Sequence, residues 1–364
     1  MTYDIARIDL KSLFGPACRA VDALSRLDEC VARSPIRTGF LQRQDFAEAI
    51  ASMWVDGELV HVEDLVLHDA RRDARTPTHE LTIAHALLRM RRQIFEHPAD
   101  WALSASGIAR LRGRAPDEAI PQSPPSQVLP DASSVNEDDP SVDEFAAIDA
   151  VLARSTALLD QAAKPTAPRS SQERDPLLYE ADWDEDERLA EWLEVMRLTQ
   201  DMPPIIRGVI LLDSWHKLQV LQHKTELGRQ LVASFLRREW VTKAHLPALS
   251  TGLKSVKIDR RRSPSRMTRL LAILEGIEIA GISGIKEHDR LLAARDQLER
   301  KTTNRRGHSR LPQLVDLVIS RPVVSTALIA SELDMTPQGA LILTKELNLR
   351  EMTGRGRYRA WGII

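Results

Sequence analysis

Arg321-PVVSTALIASELDMTPQGALILTKELNLREMTGRGRYRAWGI-Ile364 is the stretch that decides how this 364-residue chain is read. Pro322 lacks an amide hydrogen and stops any helix running through 311–320. Ser325 then caps a new helix, its hydroxyl accepting an orphan amide. Ala327, Leu328, Ala330 and Leu333 follow along it at near-helical spacing. Asp334-Met335 turns the chain, and Thr336-Pro337 restarts it with a hydroxyl cap and a proline at the first helical position. Ala340, Leu343, Thr344 and Leu347 form the buried stripe of that second helix. Caps this close together suit two helices joined by a tight turn.

Outward from these helices, apolar and basic positions alternate about Gly354 and Gly356, which predicts two short strands and a glycine turn. Arg355, Arg357 and Arg359 share one face, while Met352, Tyr358 and Trp361 point to the helices. Such a winged helix-turn-helix places its second helix in a groove of double-stranded DNA and its hairpin on the phosphates. Residues 301–364 hold ten Lys/Arg against five Asp/Glu, a surplus that suits phosphate and carries no sequence information. Thr336, Gln338 and Lys345 are the polar groups available to bases, and glutamine can pair with adenine through two hydrogen bonds. Leu341 and Ile342 are poor base readers and suit cover by another domain. The same helices also fit a dimerisation or docking module.

The net charge of −2 conceals a segregated chain. Residues 115–200 carry twenty acidic and six basic side chains, whereas 251–364 carry twenty-one basic and twelve acidic, so near-neutrality does not argue against nucleic acid. Two cysteines, Cys18 and Cys30, imply a reducing compartment. No apolar run approaches the roughly 18 residues that span a bilayer, and the first residues do not form a signal peptide. The expectation is a soluble, cytoplasmic protein with no membrane partner. Aromatics are 4% and helical periodicity dominates, which predicts a mainly α fold.

Four regions follow. Region 1–114 is expected to be helical, with helices over 15–34, from Asp45 to a stop at Gly57, over 63–68 and from a cap at Thr78; 59–62 reads as extended, and 101–109 leads out. Region 115–180 is acidic and rich in proline and serine, a composition expected to stay disordered apart from a short helix over 145–159. Region 181–300 is a second helical segment, with helices over 187–198, 205–220, 227–237, 267–281 and 291–300. Region 301–364 is the winged module. A basic loop over 254–269, with Lys257, Arg260, Arg261 and Arg262, is either a second DNA contact or a solvated loop neutralised by the acidic region. His61, Glu63, Asp64, His68 and Asp69 suggest a metal, but Asp64 and His68 share a helical face without a third and fourth ligand, so no metal is expected. No phosphate-binding glycine loop or nucleophile motif occurs, and neither a cofactor nor a catalytic residue is expected.

Two segments carry a family resemblance. Ser52-Met-Trp-Val-Asp56-Gly57 resembles the S-x-x-x-E-G segment of Fic-domain proteins, whose glutamate lies on an inhibitory helix that blocks productive nucleotide binding. Trp215-HKLQVLQHKTELGRQLVASFLRRE resembles their H-P-F-x-x-G-N-G-R loop and following helix, with Gly228-Arg229 as the closing G-R. In that register Leu221 takes the place of the catalytic histidine, Glu226 that of the first glycine and Leu227 that of the asparagine. Leucine cannot take a proton from an attacking hydroxyl, so the resemblance implies a helical Fic-like body that is catalytically degenerate. Arg229 there either binds an anion or pairs with an acidic neighbour. The whole layout further resembles an uncharacterised group of alphaproteobacterial, often plasmid-borne helix-turn-helix proteins that end in a similar LREMTGRGRYRAWG motif. The expectation is a DNA-binding transcriptional regulator whose body serves dimerisation or sensing. A homodimer is expected because two half-sites raise affinity and specificity. The alternatives are a Fic-type AMP transferase, or a plasmid-maintenance or antitoxin-like interaction protein.

Overall fold

Asp9 opens the first helix, α1 (Leu10–Ala32), by accepting the amides of Lys11 and Ser12 at 3.1 and 3.3 Å. The helix starts earlier than periodicity suggests and passes through Pro16, whose missing amide orphans the carbonyl of the exposed Ser12, where water can replace it. The computed structural model describes residues 3–6, 8–72, 76–114, 183–302, 310–352 and 359–363. The acidic region 115–180 and its expected helix lie outside them. The flanking residues, 1–116 and 184–364, form one unit and share their cores.

Helix α2 (Arg37–Asp56) ends at Gly57, which takes φ 104°, a left-handed position that costs glycine nothing. It begins eight residues before the expected Asp45, at a turn following Ser34. No strand forms over 59–62; Val62 instead enters α3 (Val62–Asp69). Thr78 caps α4 (His79–Glu96) by accepting the Leu81 amide at 3.2 Å. A short 3-10 turn at Trp101–Leu103 and α5 (Ala105–Leu111) complete the first part. Then follow α6 (Glu185–Leu198), α7 (Pro204–Leu218), α8 (Leu227–Arg238), two short helices α9 (Leu249–Leu253) and α10 (Ile258–Arg261), and α11 (Arg266–Thr302).

Helix α7 is the centre of the first core. Twelve of its fifteen residues are buried, the signature of a helix enclosed on every side. It packs against α6, α8, α1 and α11. Trp192 and Trp215 meet edge to face at 5.2 Å, and the Trp192 indole donates to the Leu211 carbonyl at 2.9 Å. Asp213, buried within this helix, is matched by Arg269 at 2.6 and 3.0 Å and by the Tyr3 hydroxyl at 2.7 Å. The second core joins α2, α3 and α4 to the C-terminal segment.

The segments 267–281 and 291–300, expected as two helices, are one 37-residue helix, α11. Glycine weakens a helix by about 1 kcal/mol, and Gly281 and Gly284 fall at the end of the first expected helix and in the gap before the second. Packing overrides that preference. A Cβ on Gly281 would lie 2.7 Å from the Ala23 backbone, and one on Gly284 would lie 2.5 Å from Leu27, so these glycines are where α1 settles onto α11. Where α9 crosses the same helix the fit is closer still, with a Cβ on Gly252 only 1.8 Å from the Gly276 carbonyl. Gly252→Ala is therefore expected to lower unfolding free energy by about 3 kcal/mol or to prevent folding. Gly15→Ala, in α1 with only Arg19 at 3.9 Å nearby, should instead change it by less than about 1 kcal/mol, because helix propensity favours alanine while the following Pro16 disfavours a Cβ on a helical residue before it. Urea titration of both variants checks the pair.

Candidate nucleic-acid interface

The C-terminal module is built from α12 (Leu311–Ser320), β1 (Val324–Ser325), α13 (Thr326–Glu332), α14 (Pro337–Glu346), β2 (Arg350–Glu351) and β3 (Ala360–Gly362). Strand β3 lies between the other two and is antiparallel to both, with Trp361 opposite Val324 and Gly362 opposite Arg350. Two strands were expected and three are found. The extra one, β1, is two residues long, and its local signal is hidden by the capping serine that it contains.

Both caps form as the sequence predicts. Ser325 accepts the Leu328 amide at 3.2 Å, and Thr336 accepts the Gly339 amide at 3.2 Å. Asp334 makes the turn at φ 48°, a left-handed conformation that Asp tolerates better than most residues. On α14, Ala340 and Thr344 face inward, whereas Leu343 is only partly buried. Gln338 and Lys345 are exposed on the outer face, with Ile342 between them at 59% exposure and Leu341 half-buried. Thr336 is exposed, but its hydroxyl oxygen is engaged in capping. Of the three hairpin arginines, Arg355 and Arg357 lie outside the described residues. Arg359 pairs with Glu351 at 2.5 and 3.0 Å, which raises the arginine pKa and lowers that of the carboxyl, and its guanidinium lies 5.8 Å from the Trp361 ring.

Two arginines, the buried Arg43 and the half-buried Arg321, fasten this module to α2 and α3. Arg43 donates to the carbonyls of Val318 and Arg321 at 3.1 and 2.9 Å, and to that of Ile363 at 3.4 Å. Desolvation pushes its pKa down to about 10, against the opposing pull of Glu287. Arg321 pairs with Asp69 at 2.7 Å and stands over the Phe46 ring at 5.3 Å. Asp69 also accepts from Arg92 at 2.7 and 3.0 Å and meets His85 at 3.4 Å, so the carboxylate of the metal-like group is spent on arginines. Burial pushes the Asp69 carboxyl up, but the hydrogen bonds and charges of Arg92 and Arg321 prevail and hold it below the usual range. Gly39 leaves room for Ile319, whose side chain would sit 2.7 Å from a Cβ there. Sequence reasoning missed Arg43. Its signal is a charge at a core position of an otherwise apolar helical face.

The other predicted basic group lies at the far end of α2. From Arg43 to Asp56 the helix rises about 20 Å. There Lys254, Lys257, Arg261 and Arg262 line a cleft of about 630 Å³ with Trp54, Asp56 and Leu59. Instead of one basic loop, the segment folds as α10 between two turns. Arg260 is paired with Glu275, and Arg261 donates to the Val256 carbonyl at 3.0 Å. Desolvation lowers the pKa of Arg261, as do Arg262 and Arg229 nearby. Lys254 and Arg261 both lie over Trp54, at 5.5 and 5.6 Å. Lys257 and Arg262 are exposed.

Arg229 answers the question that the sequence left open. It is fully buried and bonds to both oxygens of Asp56, one at 3.0 Å, and to the Ser52 hydroxyl at 2.7 Å. The two segments that carry the Fic resemblance therefore meet, 173 residues apart in the chain. Gly228 beside it is required by packing, since a Cβ there would lie 2.4 Å from Trp215. Leu221 is buried as an ordinary core residue, and burial raises the pKa of Glu226. Among the described residues no cluster of three or more His, Cys, Asp or Glu could hold a metal ion.

Residues 177–303 match a family described as protein of unknown function (DUF1612), and residues 311–364 match one described as HTH DNA binding domain. The uncharacterized protein y4cF of Sinorhizobium fredii (strain NBRC 101917 / NGR234) is 48% identical over 381 residues, covering 100% of both chains.

The Asp69 carboxyl yields a pH prediction. A carboxyl with a lowered folded pKa contributes stability fully above its unfolded value and loses it as pH falls through the folded one. Acid is therefore expected to release the C-terminal module as pH falls below about 4, seen as early amide exchange in 311–324. Asp69→Asn should remove that acid dependence and cost about 2 kcal/mol at neutral pH.

Proposed function

We propose that this chain, which belongs to the family of the Sinorhizobium fredii protein it matches end to end, is a DNA-binding transcriptional regulator. The observation that carries the reading is the C-terminal module itself. It matches a DNA-binding helix-turn-helix family over its whole length and presents Gln338 and Lys345 on the open face of its second helix. The antiparallel pairing of β2 and β3 after that helix supports the reading, since a wing of this kind reaches phosphates. Lys257 and Arg262 form a second, separate basic surface for the duplex backbone. A homodimer fits this function, because one winged helix contacts few bases. A cytoplasmic setting fits the two free cysteines. No helix of the described residues is long and apolar enough to cross a membrane.

We read the body as a Fic-like scaffold without transferase activity. The meeting of Ser52 and Asp56 with Arg229 supports the likeness. Buried Leu221 supports the loss of chemistry, since nothing at that place accepts a proton. The guanidinium is fully buried and its charge is already matched by Asp56, which disfavours a phosphate partner. Self-labelling by ATP that disappears in Arg229→Ala would overturn this part.

Recovery of genomic fragments on the purified chain tests the regulator reading, and the outcome expected is enrichment of a small set of sites. Gln338→Ala should then change preference at one base pair by about 1–3 kcal/mol. Arg357→Ala should weaken all sequences alike and lower the salt slope by about 1. If no site is enriched over bulk DNA, the regulatory function fails.

A further inference from the structure

Arg43 has a second neighbour besides the C-terminal module. A cavity of about 270 Å³ lies between α2 and α11, closed on one side by Pro322, between α12 and β1 of the module. Its walls include Phe40, Ile50 and Val62, and its charged corner is made by Arg43 and Glu287. The size is at the low end for ligand pockets and suits a compound of about ten non-hydrogen atoms. Apolar walls with few convergent polar groups are how such sites are usually built.

The charges in that corner do not balance. Glu287 meets Arg43 at 3.2 Å and also takes both hydrogen bonds of Arg290, at 2.7 and 2.6 Å. One carboxylate thus serves two guanidinium groups, and Glu287 is the only acid among the lining residues. A second carboxylate would complete the set, and its pairing with a guanidinium is among the stronger hydrogen-bonded contacts. We propose that this cavity binds a small apolar molecule bearing one carboxylate, and that the ligand loosens the C-terminal module by drawing Arg43 away from the carbonyls of Val318, Arg321 and Ile363. What the switch controls rests on the DNA-binding reading above; the site itself does not.

Calorimetry on the full chain with benzoate and with 4-phenylbutyrate tests the site, and the corresponding amides serve as controls. The acids are expected to bind saturably, the amides at least about tenfold more weakly. Ala47 is exposed at the rim of the cavity, so Ala47→Trp fills the space from outside the core and should abolish binding while leaving the fold intact. Glu287→Gln removes the competing carboxylate and should tighten acid binding severalfold. Hydrogen exchange with benzoate present should accelerate across 311–324. The proposal is overturned by an absence of saturable binding for both acids, by equal affinity for acids and amides, or by undiminished binding to folded Ala47→Trp. Acid binding with unchanged exchange overturns the coupling. Retention of a mixed-sequence duplex at low salt by the ligand-free chain is measured separately. Failure there sinks the regulator reading, while the calorimetry still decides the site.

Discussion

Charged and polar groups spaced along α2 hold the structure together, and each finds its partner far away in the chain. Arg43 reaches the C-terminal module, Glu48 the start of α9, and Ser52 with Asp56 the buried Arg229. Glu48 has no exposed surface and accepts the Ser250 amide at 3.1 and 2.8 Å and the Thr251 amide at 3.2 Å. It thereby caps α9, which has no side-chain cap of its own. A carboxylate at a helix start meets both the orphan amides and the positive end of the dipole. Arg91 from α4 closes the same knot, donating to Asp45 at 3.0 Å, Gln230 at 2.8 Å and the Leu246 carbonyl at 3.0 Å. Buried charges cost several kcal/mol each to desolvate and are tolerable only when every partner is in place. The arrangement therefore adds little net stability for its cost, but it penalises any other register of α2 heavily.

The same logic explains why the two parts of the chain flanking the acidic region make one body. Helix α1 lies along α11 through Gly281 and Gly284, while α2 reaches α8, α9 and α12 through charge. Close backbone approach fixes the first contact and satisfied charge the second. Helix α11 spans about 55 Å, and its last turn donates from Lys301 to the Leu347 carbonyl at 2.8 Å. The module is thus held at two places, by α2 and by the end of α11, which makes its placement a property of the body.

Much of this was legible in the sequence wherever the rule is local. Caps at Thr78, Ser325 and Thr336, the stop at Gly57 and the proline start of α7 depend on neighbours within four residues, and all appear. What escaped depends on the partner. Gly281 reads as a helix end until Ala23 is seen against it, and residues 254–269 read as loop because short α10 is held by packing on α11. Arg229 could not be assigned from its own neighbours, because the acid that meets it lies 173 residues upstream. Arg43 and Glu48 stand at core positions of α2, but their partners at 318–321 and 250–251 come only with the tertiary fold.

The outer face of the module narrows what it can do with DNA. Ile342 stands between Gln338 and Lys345, so the middle of the outer face of α14 is apolar and, on DNA, would suit a thymine methyl better than a hydrogen-bonding edge. Arg359 is engaged by Glu351, and a phosphate would have to compete with that carboxylate for its charge. Selectivity from a single module is accordingly limited, and affinity must draw on additional phosphate contacts. The exposed Lys257 and Arg262 line the cleft at the far end of α2, about 20 Å of helix from Arg43, and on the proposed reading would supply them from a different part of the same body. Because α2 spans that distance as one helix, the spacing between the two basic surfaces is set by the fold and does not depend on a flexible connection.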